Sequence, residues 1–556
     1  MTQTLPQTTA DHLPSDHHGA AIGRWRQRRG RGRTVIALSA VVALALVSPL
    51  AFLALDASHA GWSEIHDVLF REQSWFLLRH TVILSALVAV LSAVIGVAAA
   101  LCTERGRLPA RRLWTVLLVL PVAMPDFVAG FAWHTIAPNA DPLIAATLVM
   151  TLGTYPMVYL PVAAALRRAD PAMEDTARSL GMGRARTLWR VTLPVVRNAI
   201  AGGVVLVVLT VISEYGAFEI LRYQTFTTEI FTEFQFEPEA AGALAVPLVL
   251  LGLLVLVVDG ILPRRTAASV AIRRPLTATR LGWSAVPMTA GLGALAVLGV
   301  GVPIGTLVYW MAQSQHTTLP AVATLTTATW TTLRYSALGA AAAVILALPV
   351  ALLSARRSSV GRIALERSTY VTQALPGVVV ALSFVYITTR YVYGLYQTSF
   401  LLVAAYALLH FPLALVCVKT SVSQAPALLA DVGRSLGRGP VAVFFRITLP
   451  LLAPGLVAGF CLVFLTAVTE LTATLVLAPI GVETLATQFW AYQSEVAYGA
   501  AAPYALVIVA MAMVPGALLG LWFDRDPTAR TTTRAAGPIV AAPAPVTAST
   551  APGFVS

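Results

Sequence analysis

"RSLGMGRARTLWRVTLP", Arg178 to Pro194, lies between two long apolar runs and carries four arginines; "RSLGRGPVAVFFRITLP", Arg434 to Pro450, repeats its spacing 256 positions further on. A hydrophobic chain that keeps the same polar, glycine-punctuated loop twice reads as two copies of one unit. The surroundings set the solvent of that unit. Of the 556 residues 57% are hydrophobic and only 12% charged, with a mean hydropathy of +0.76, against about 25% charged in soluble domains. This composition predicts a membrane protein.

A net charge of +12 raises the question of nucleic acid, but the arginines fall in short clusters between apolar runs and form no single basic face. They read as topology signals, with no nucleic-acid partner. Cys102, Cys417 and Cys461 lie far apart in or beside apolar segments, without the spacing of a metal site or a disulfide framework. The first apolar run is too long for a signal peptide and continues into a multi-spanning pattern. The polar, proline-bearing start and the Ala, Pro and Thr-rich end read as disordered tails.

A helix needs about 20 apolar residues to cross the hydrocarbon core, because every backbone amide must be satisfied internally. About twelve stretches qualify: 34–55, 76–102, 113–137, 141–166, 198–218 and 242–262, then 284–311, 332–354, 369–393, 398–419, 454–477 and 500–523. Arginines mark the cytoplasmic side. Arg24 to Arg33 precede the first span; Arg105, Arg107, Arg111 and Arg112 follow the second. Arg264, Arg265, Arg273, Arg274 and Arg280 separate the sixth from the seventh, and Arg356, Arg357, Arg362 and Arg367 follow the eighth. The alternate loops hold acids: Asp56, Glu64, Asp67 and Glu72 in one, Glu229, Glu233, Glu237 and Glu239 in another. Both termini and both copies of the polar loop are therefore expected in the cytoplasm, with the chain multi-pass in the cell membrane.

The repeat extends well beyond the loops. At an offset of 256, Leu209-Thr210 pairs with Leu465-Thr466, Glu214 with Glu470, Glu239 with Glu495 and Pro247 with Pro503, as though without a gap. Upstream, Leu78-Arg79 pairs with Leu333-Arg334 and Leu120-Pro121 with Leu375-Pro376, at an offset of 255. The expected fold is an all-α membrane protein of two tandem six-helix units. Six being even, both units share one orientation and a pseudo-two-fold axis along the membrane normal. The expected divisions are a cytoplasmic tail 1–33, a first unit 34–265, a linker 266–283, a second unit 284–523 and a tail 524–556. A pathway between the halves is the natural inference.

Each polar loop reads as a short helix, a glycine break and an amphipathic segment leading to proline. Pro171 suits a first helical turn, and Glu174 and Asp175 favour a helix N-terminus. Gly181 and Gly183 supply a stop. Topology alone requires charge, not a kept Leu-Gly followed thirteen residues later by Leu-Pro. These residues resemble the loop of the permease subunits of binding-protein-dependent ABC importers: Glu-Ala-Ala, three residues, Gly, nine residues, Ile, one residue, Leu-Pro. The first copy has the acidic pair Glu174-Asp175, then Ala177, Gly181 and Leu193-Pro194, with Val191 for the isoleucine. The second has Ala430-Asp431, with Gly433 for the second alanine, and keeps Gly437, Ile447 and Leu449-Pro450.

The resemblance implies that 170–184 and 424–439 are coupling helices docked on two ATPase subunits, with Asp175, Arg178, Asp431 and Arg434 among the docking residues. It implies alternating access and delivery of solute by an extracytoplasmic binding protein. The fused form is most similar to the ferric-iron importer permeases, and less closely to those for thiamine, phosphonates and related small solutes.

The chain has no Gly-rich phosphate loop, and its lysine, Lys419 in "LALVCVKT", stands outside any such motif. The chain is therefore expected to be non-catalytic and to bind no cofactor or metal, ATP and Mg being used by the partner subunits. An ion-gradient carrier is the competing class, for which intramembrane ionisable residues are the signature. Glu214 and Glu470 lie about 16 residues into their expected spans, in the outer third at about 1.5 Å per residue. Two readings are open: local pairing at the interface, or an acidic element on the pathway suited to a cationic solute. Asp126, after two prolines in "LPVAMPDFVAG", either lines the cavity or caps a helix at a bend. His80, His134 and His410 read as packing partners. The paired loops argue against the carrier.

Overall fold

The computed structural model describes residues 36–52 and, apart from short breaks, 66–261, 285–354 and 375–523. The expected tails 1–33 and 524–556, the linker 266–283 and most of the arginine clusters lie outside the described residues.

The first half runs α1 (Ile36–Phe52), α2 (Glu72–Arg105), α3 (Arg111–Val119), α4 (Asp126–Ile136), α5 (Pro142–Arg168), α6 (Pro171–Ser179), α7 (Arg184–Ser213), α8 (Gly216–Ile220), α9 (Phe226–Phe236) and α10 (Pro238–Ile261). The second runs α11 (Val286–Gln313), α12 (Val322–Ser354), α13 (Gly377–Tyr391), α14 (Ser399–Leu409), α15 (Phe411–Gln424), α16 (Ala427–Ser435), α17 (Pro440–Val468), α18 (Thr472–Leu477), α19 (Leu485–Ser494) and α20 (Tyr498–Phe523). Among the described residues eight helices are long and apolar enough to cross a membrane, or ten if each of two bent pairs is one span; α1 and α13, on the expected stretches 34–55 and 369–393, are shorter than that.

Two expected spans are broken, and proline is the cause. A 90° bend separates Arg111–Ala123 from α4 at Met124-Pro125, because the ring excludes the α conformation from the preceding residue; Met124 is extended, with ψ 119°. A 56° bend separates α14 from α15 at His410, just before Pro412.

The Leu-Pro of each polar loop has a different effect. It lies inside α7 and α17, which begin at Arg184 and Pro440 rather than at the expected 198 and 454. Pro194 lacks an N–H and would crowd the carbonyl four residues back. The helix relieves this with a π-turn over Leu188–Thr192, in which Leu193 N–H reaches the Leu188 carbonyl. Phe444–Thr448 does the same before Pro450, with Leu449 N–H on the Phe444 carbonyl. Both helices also end sooner than expected, at Ser213 and Val468 rather than 218 and 477.

The repeat register needs two corrections. Pro125 caps α4 as Pro376 caps α13, so Leu375-Pro376 matches Met124-Pro125, not Leu120-Pro121. Packing agrees: Gly130 of α4 abuts Ala217 of α8, and its counterparts Ala381 and Ala473 share one buried cluster. Farther on, Thr225 and Thr228 form a capping box for α9 as Thr484 and Thr487 do for α19. Three extra residues around Gly481, which has φ +80°, therefore interrupt the ungapped register.

The halves embrace each other. Phe52 of α1 packs against Tyr386 of α13 with ring centroids 4.3 Å apart and planes tilted by 41°. On the other flank Phe131 of α4 meets Phe489 and Tyr498 of the second half at 5.5 and 5.1 Å. Tyr215 meets Trp490 at 5.6 Å. Aromatic side chains carry large apolar areas, so this contact is the floor on which the central groups are held.

Candidate functional site

The first loop helix, α6, starts at Pro171 and stops at Gly181 as expected, while Gly183 caps the start of α7 instead of ending α6. Asp170 accepts the Ala172 amide at 2.9 Å, with Pro171 in the first turn. Gly181, at φ +80°, ends the helix; Met182 N–H returns to the Ala177 carbonyl and Gly181 N–H to that of Arg178, both at 3.0 Å. Gly437, at φ +78°, ends α16 in the same way, with Arg438 N–H on Gly433 O and Gly437 N–H on Arg434 O, both at 3.1 Å. Nothing lies within 4 Å of a Cβ built on either glycine, so backbone conformation and not space requires them.

The outward surfaces of the two helices match. Leu180 and Leu436 are each 77% exposed, and Met173 faces solvent as Leu429 does. Asp175 pairs with Arg178 at 3.6 Å, and Asp431 with Arg434 in the same i,i+3 register.

The inward sides differ. Glu174, 13% exposed, turns into the protein. Its Oε1 accepts from Arg105 Nη2 of α2 at 2.8 Å and from the Thr192 hydroxyl of α7 at 2.9 Å. Ala177 is buried. In α16, Ala430 offers no acceptor, and a Cβ on Gly433 would lie 2.5 Å from Ile447 Cδ1. The methyl lost from Ala177 to Gly433 is thus matched by the larger Ile447 in place of Val191. Leu193, Pro194, Leu449 and Pro450 directly follow the π-turns, inside α7 and α17, and are not part of α6 and α16.

Beside Arg105, Glu104 is 1% exposed and binds Arg167 of α5 at 2.8 Å and Arg111 of α3. Replacing Glu104 with alanine would leave two guanidinium groups facing one another. Loss of one partner of a buried pair costs 3–5 kcal/mol, and the partly exposed arginines place this case at the lower end, about 3 kcal/mol. The thermal midpoint of the detergent-purified chain should fall by about 5 °C.

The second candidate region lies where four short helices begin. Glu214 is the residue at which α7 breaks, not a side chain inside a continuous span, and Glu470 follows the end of α17 in the same way. One oxygen of each serves as a cap: Glu214 Oε1 accepts the Ala217 amide at 2.9 Å, and Glu470 Oε1 that of Ala473 at 3.0 Å. Asp126 opens α4, with Oδ1 2.5 Å from the position a Cβ would take on Gly153 of α5. The residues next to them pack together: a Cβ on Gly216, two positions after Glu214, would lie 3.0 Å from Cβ of Phe127, the neighbour of Asp126. All three acidic residues are partly accessible, so the fold brings the pathway candidates together at the junction of the halves. Gly216 permits this approach: a Cβ there would lie 2.7 Å from Leu471 Cδ2 of the other half.

His410, read from sequence as a packing residue, lies with Nε2 4.0 Å from Glu470 Oε2. It sits at the α14–α15 bend, and His410-Phe411-Pro412 could have marked the break. Gly377 takes the place in the second half that Asp126 takes in the first. Among the described residues no group of three His, Cys, Asp or Glu side chains could hold a metal ion. The centre can therefore act on a cation through its field, but offers no preformed chelate.

On the side opposite the loop helices, a cavity of about 680 Å³ is lined by Arg79, His80, Asp141, Glu219, Arg222 and Glu229, among others. Burial and then the Glu233 carboxylate raise the Glu229 carboxyl above its usual range, with a Gln73 hydrogen bond opposing them. His80 stands between Phe76 and Tyr223, at 3.8 and 5.2 Å, and is a packing residue.

Comparison with known proteins places this geometry. The family model described as "binding-protein-dependent transport system inner membrane component" matches twice, over residues 92–268 and 343–525. An Fe(3+)-transport system permease protein, FbpB 2 of Haemophilus influenzae, is 33% identical over 488 residues, covering 86% of this chain and 96% of the relative. The ferric transport system permease protein FbpB of Actinobacillus pleuropneumoniae is 20% identical, covering 81% of this chain and 70% of its own. A sulfate transport system permease protein, CysW of a Synechocystis strain, is 29% identical and covers 91% of its own length but only 41% of this chain, so it corresponds to one half.

Proposed function

Because the chain belongs to the family of binding-protein-dependent transport system inner membrane components, we propose that it is the fused permease of an ATP-driven importer whose cargo is a metal cation, ferric iron first. The observation that carries the choice of cargo is the approach of the segments bearing Asp126, Glu214 and Glu470 where the halves meet, through Gly216 against Phe127 and Leu471. An intramembrane carboxylate is costly and is kept where it faces a pathway or a partner. Each glutamate uses one oxygen on a helix cap; the other is left to act on the passage, that of Glu470 beside His410. Weak, field-based attraction suits a conduit, since a cation that entered a full chelate would not leave.

In this reading α6 and α16 lie on the cytoplasmic side with both termini. Each offers its exposed leucine and its Asp–Arg pair, Asp175–Arg178 or Asp431–Arg434, to one ATPase subunit. The subunits bind ATP and Mg and perform the hydrolysis. The cavity lined by Arg79, Arg222 and Glu229 faces the extracytoplasmic side, where a binding protein delivers solute.

The relatives named for sulfate support a second cargo class, a small oxyanion. Proteoliposomes holding this chain, its ATPase and its binding protein separate the two. ATP-dependent accumulation of radioactive ferric iron, unaffected by excess sulfate or molybdate, is the expected result; accumulation of sulfate and not of iron would replace the cargo assignment.

A further inference from the structure

We propose that Glu174 is a positioning residue that fastens the first loop helix to the body of the permease, making the two docking helices mechanically unequal. The inference rests on reading α6 and α16 as the helices that receive the ATPase subunits.

Glu174 stands one position before Asp175, which by its spacing to Gly181 fills the acidic place of the loop motif; Asp175 is exposed, whereas Glu174 faces away from the surface on which a partner would sit. Its Oε1 takes hydrogen bonds from both Arg105 and Thr192, while Oε2 lies 3.6 Å from Arg178 Nη2. One carboxylate therefore joins α6 to the end of α2 and to the π-turn of α7. Its neighbour in the network, Glu104, joins α2 to α3 and α5 through Arg111 and Arg167. The consecutive residues Glu104 and Arg105 so form a hub. Displacement of α6 is passed to α2 directly and to α3 and α5 through that hub. Charge-assisted hydrogen bonds of this kind are directional and resist shear.

Among the described residues the second half shows no counterpart of the Glu174 link. Ala430 stands at the Glu174 position and Ser423 at that of Arg167, 256 positions on. What holds α16 instead is close apolar contact, the Ile447 side chain seated against the bare Gly433 backbone. Apolar contact is non-directional, so α16 can pivot where α6 cannot. The first half then carries the tighter link between ATPase movement and rearrangement of the spans.

The test uses the complete transporter in proteoliposomes, reading solute taken up per ATP hydrolysed and the amount of ATPase that co-purifies with the chain. Glu174→Ala should lower uptake per ATP about fivefold, within the range by which positioning residues modulate coupling. Arg105→Ala should do the same, and the double variant should be no worse than either alone. Glu174→Gln, which keeps an acceptor for Thr192, should fall between Glu174→Ala and the parent. ATPase should co-purify undiminished in all four. Unchanged uptake per ATP in Glu174→Ala, or multiplying effects in the double variant, would overturn the proposal. So would loss of the ATPase from Glu174→Ala, which would make Glu174 a docking residue. Absence of ATP-driven uptake in the parent would instead sink the importer reading beneath it.

Discussion

Replacing Glu214 and Glu470 together by glutamine is expected to reduce uptake of a cationic solute by one to two orders of magnitude, while ATP hydrolysis stimulated by the binding protein continues. Glutamine keeps an oxygen that can accept the Ala217 and Ala473 amides, so the caps of α8 and α18 survive and only the charges go. A unit charge about 7 Å from a passing cation, at an effective dielectric of about 20, contributes about 2 kcal/mol. Two such charges lost from one centre do not add fully, since each screens the other's effect. Alanine at the same positions should be worse, because it also removes the caps. Flux of radioactive iron into proteoliposomes is the measurement. If the glutamine pair transports like the parent, the carboxylates are caps and nothing more.

The second large effect is expected at the two left-handed glycines. Valine at Gly181 or Gly437 must adopt φ near +80° or abandon the helix stop, and L residues resist that region by about 1–2 kcal/mol, more when β-branched. Because the space around both positions is open, the chain should still insert and pack. The end of the helix would shift instead, carrying Leu180 or Leu436 with it. Uptake should fall about tenfold, as an energy near 1.4 kcal/mol implies, with ATP hydrolysis less affected. Asparagine tolerates the left-handed region, so the loss should rank Asn below Ala below Val. Uptake that survives valine at both positions would refute the assignment of these loops to coupling.

Much of this molecule is legible in its sequence, and for local reasons. Hydropathy over about 20 residues reports burial in hydrocarbon, so most of the apolar stretches could be read directly, although two of the twelve hold helices too short to span. The Pro171 start and the Gly181 stop depend on a few consecutive residues and follow the sequence, whereas Gly183 caps the start of α7 rather than the end of α6. The span ends were misplaced around Leu193-Pro194 and Leu449-Pro450. Proline there widens a helix that continues through it, and periodicity cannot separate a π-turn from a helix start. The register failed at Pro125 and near Gly481 because matching dipeptides recur by chance, whereas caps and packing do not.

What the sequence by itself determined is the solvent of this protein, its duplication, the family-specific loop and the acids worth testing. Each follows from composition or from groups close together in the chain. Tertiary structure alone decided that Asp126, Glu214 and Glu470 lie near one another where the halves meet, that His410 comes to 4.0 Å from Glu470, and that Glu174 looks inward to Arg105. Those residues are separated by 60 to 344 positions, and no periodicity specifies such distances. They are set by where proline breaks two spans, and by bare glycines at Gly153 and Gly216 that let the breaks approach. Whether a carboxylate caps, pairs or faces a pathway is decided by those approaches, which exist only once the helices have packed.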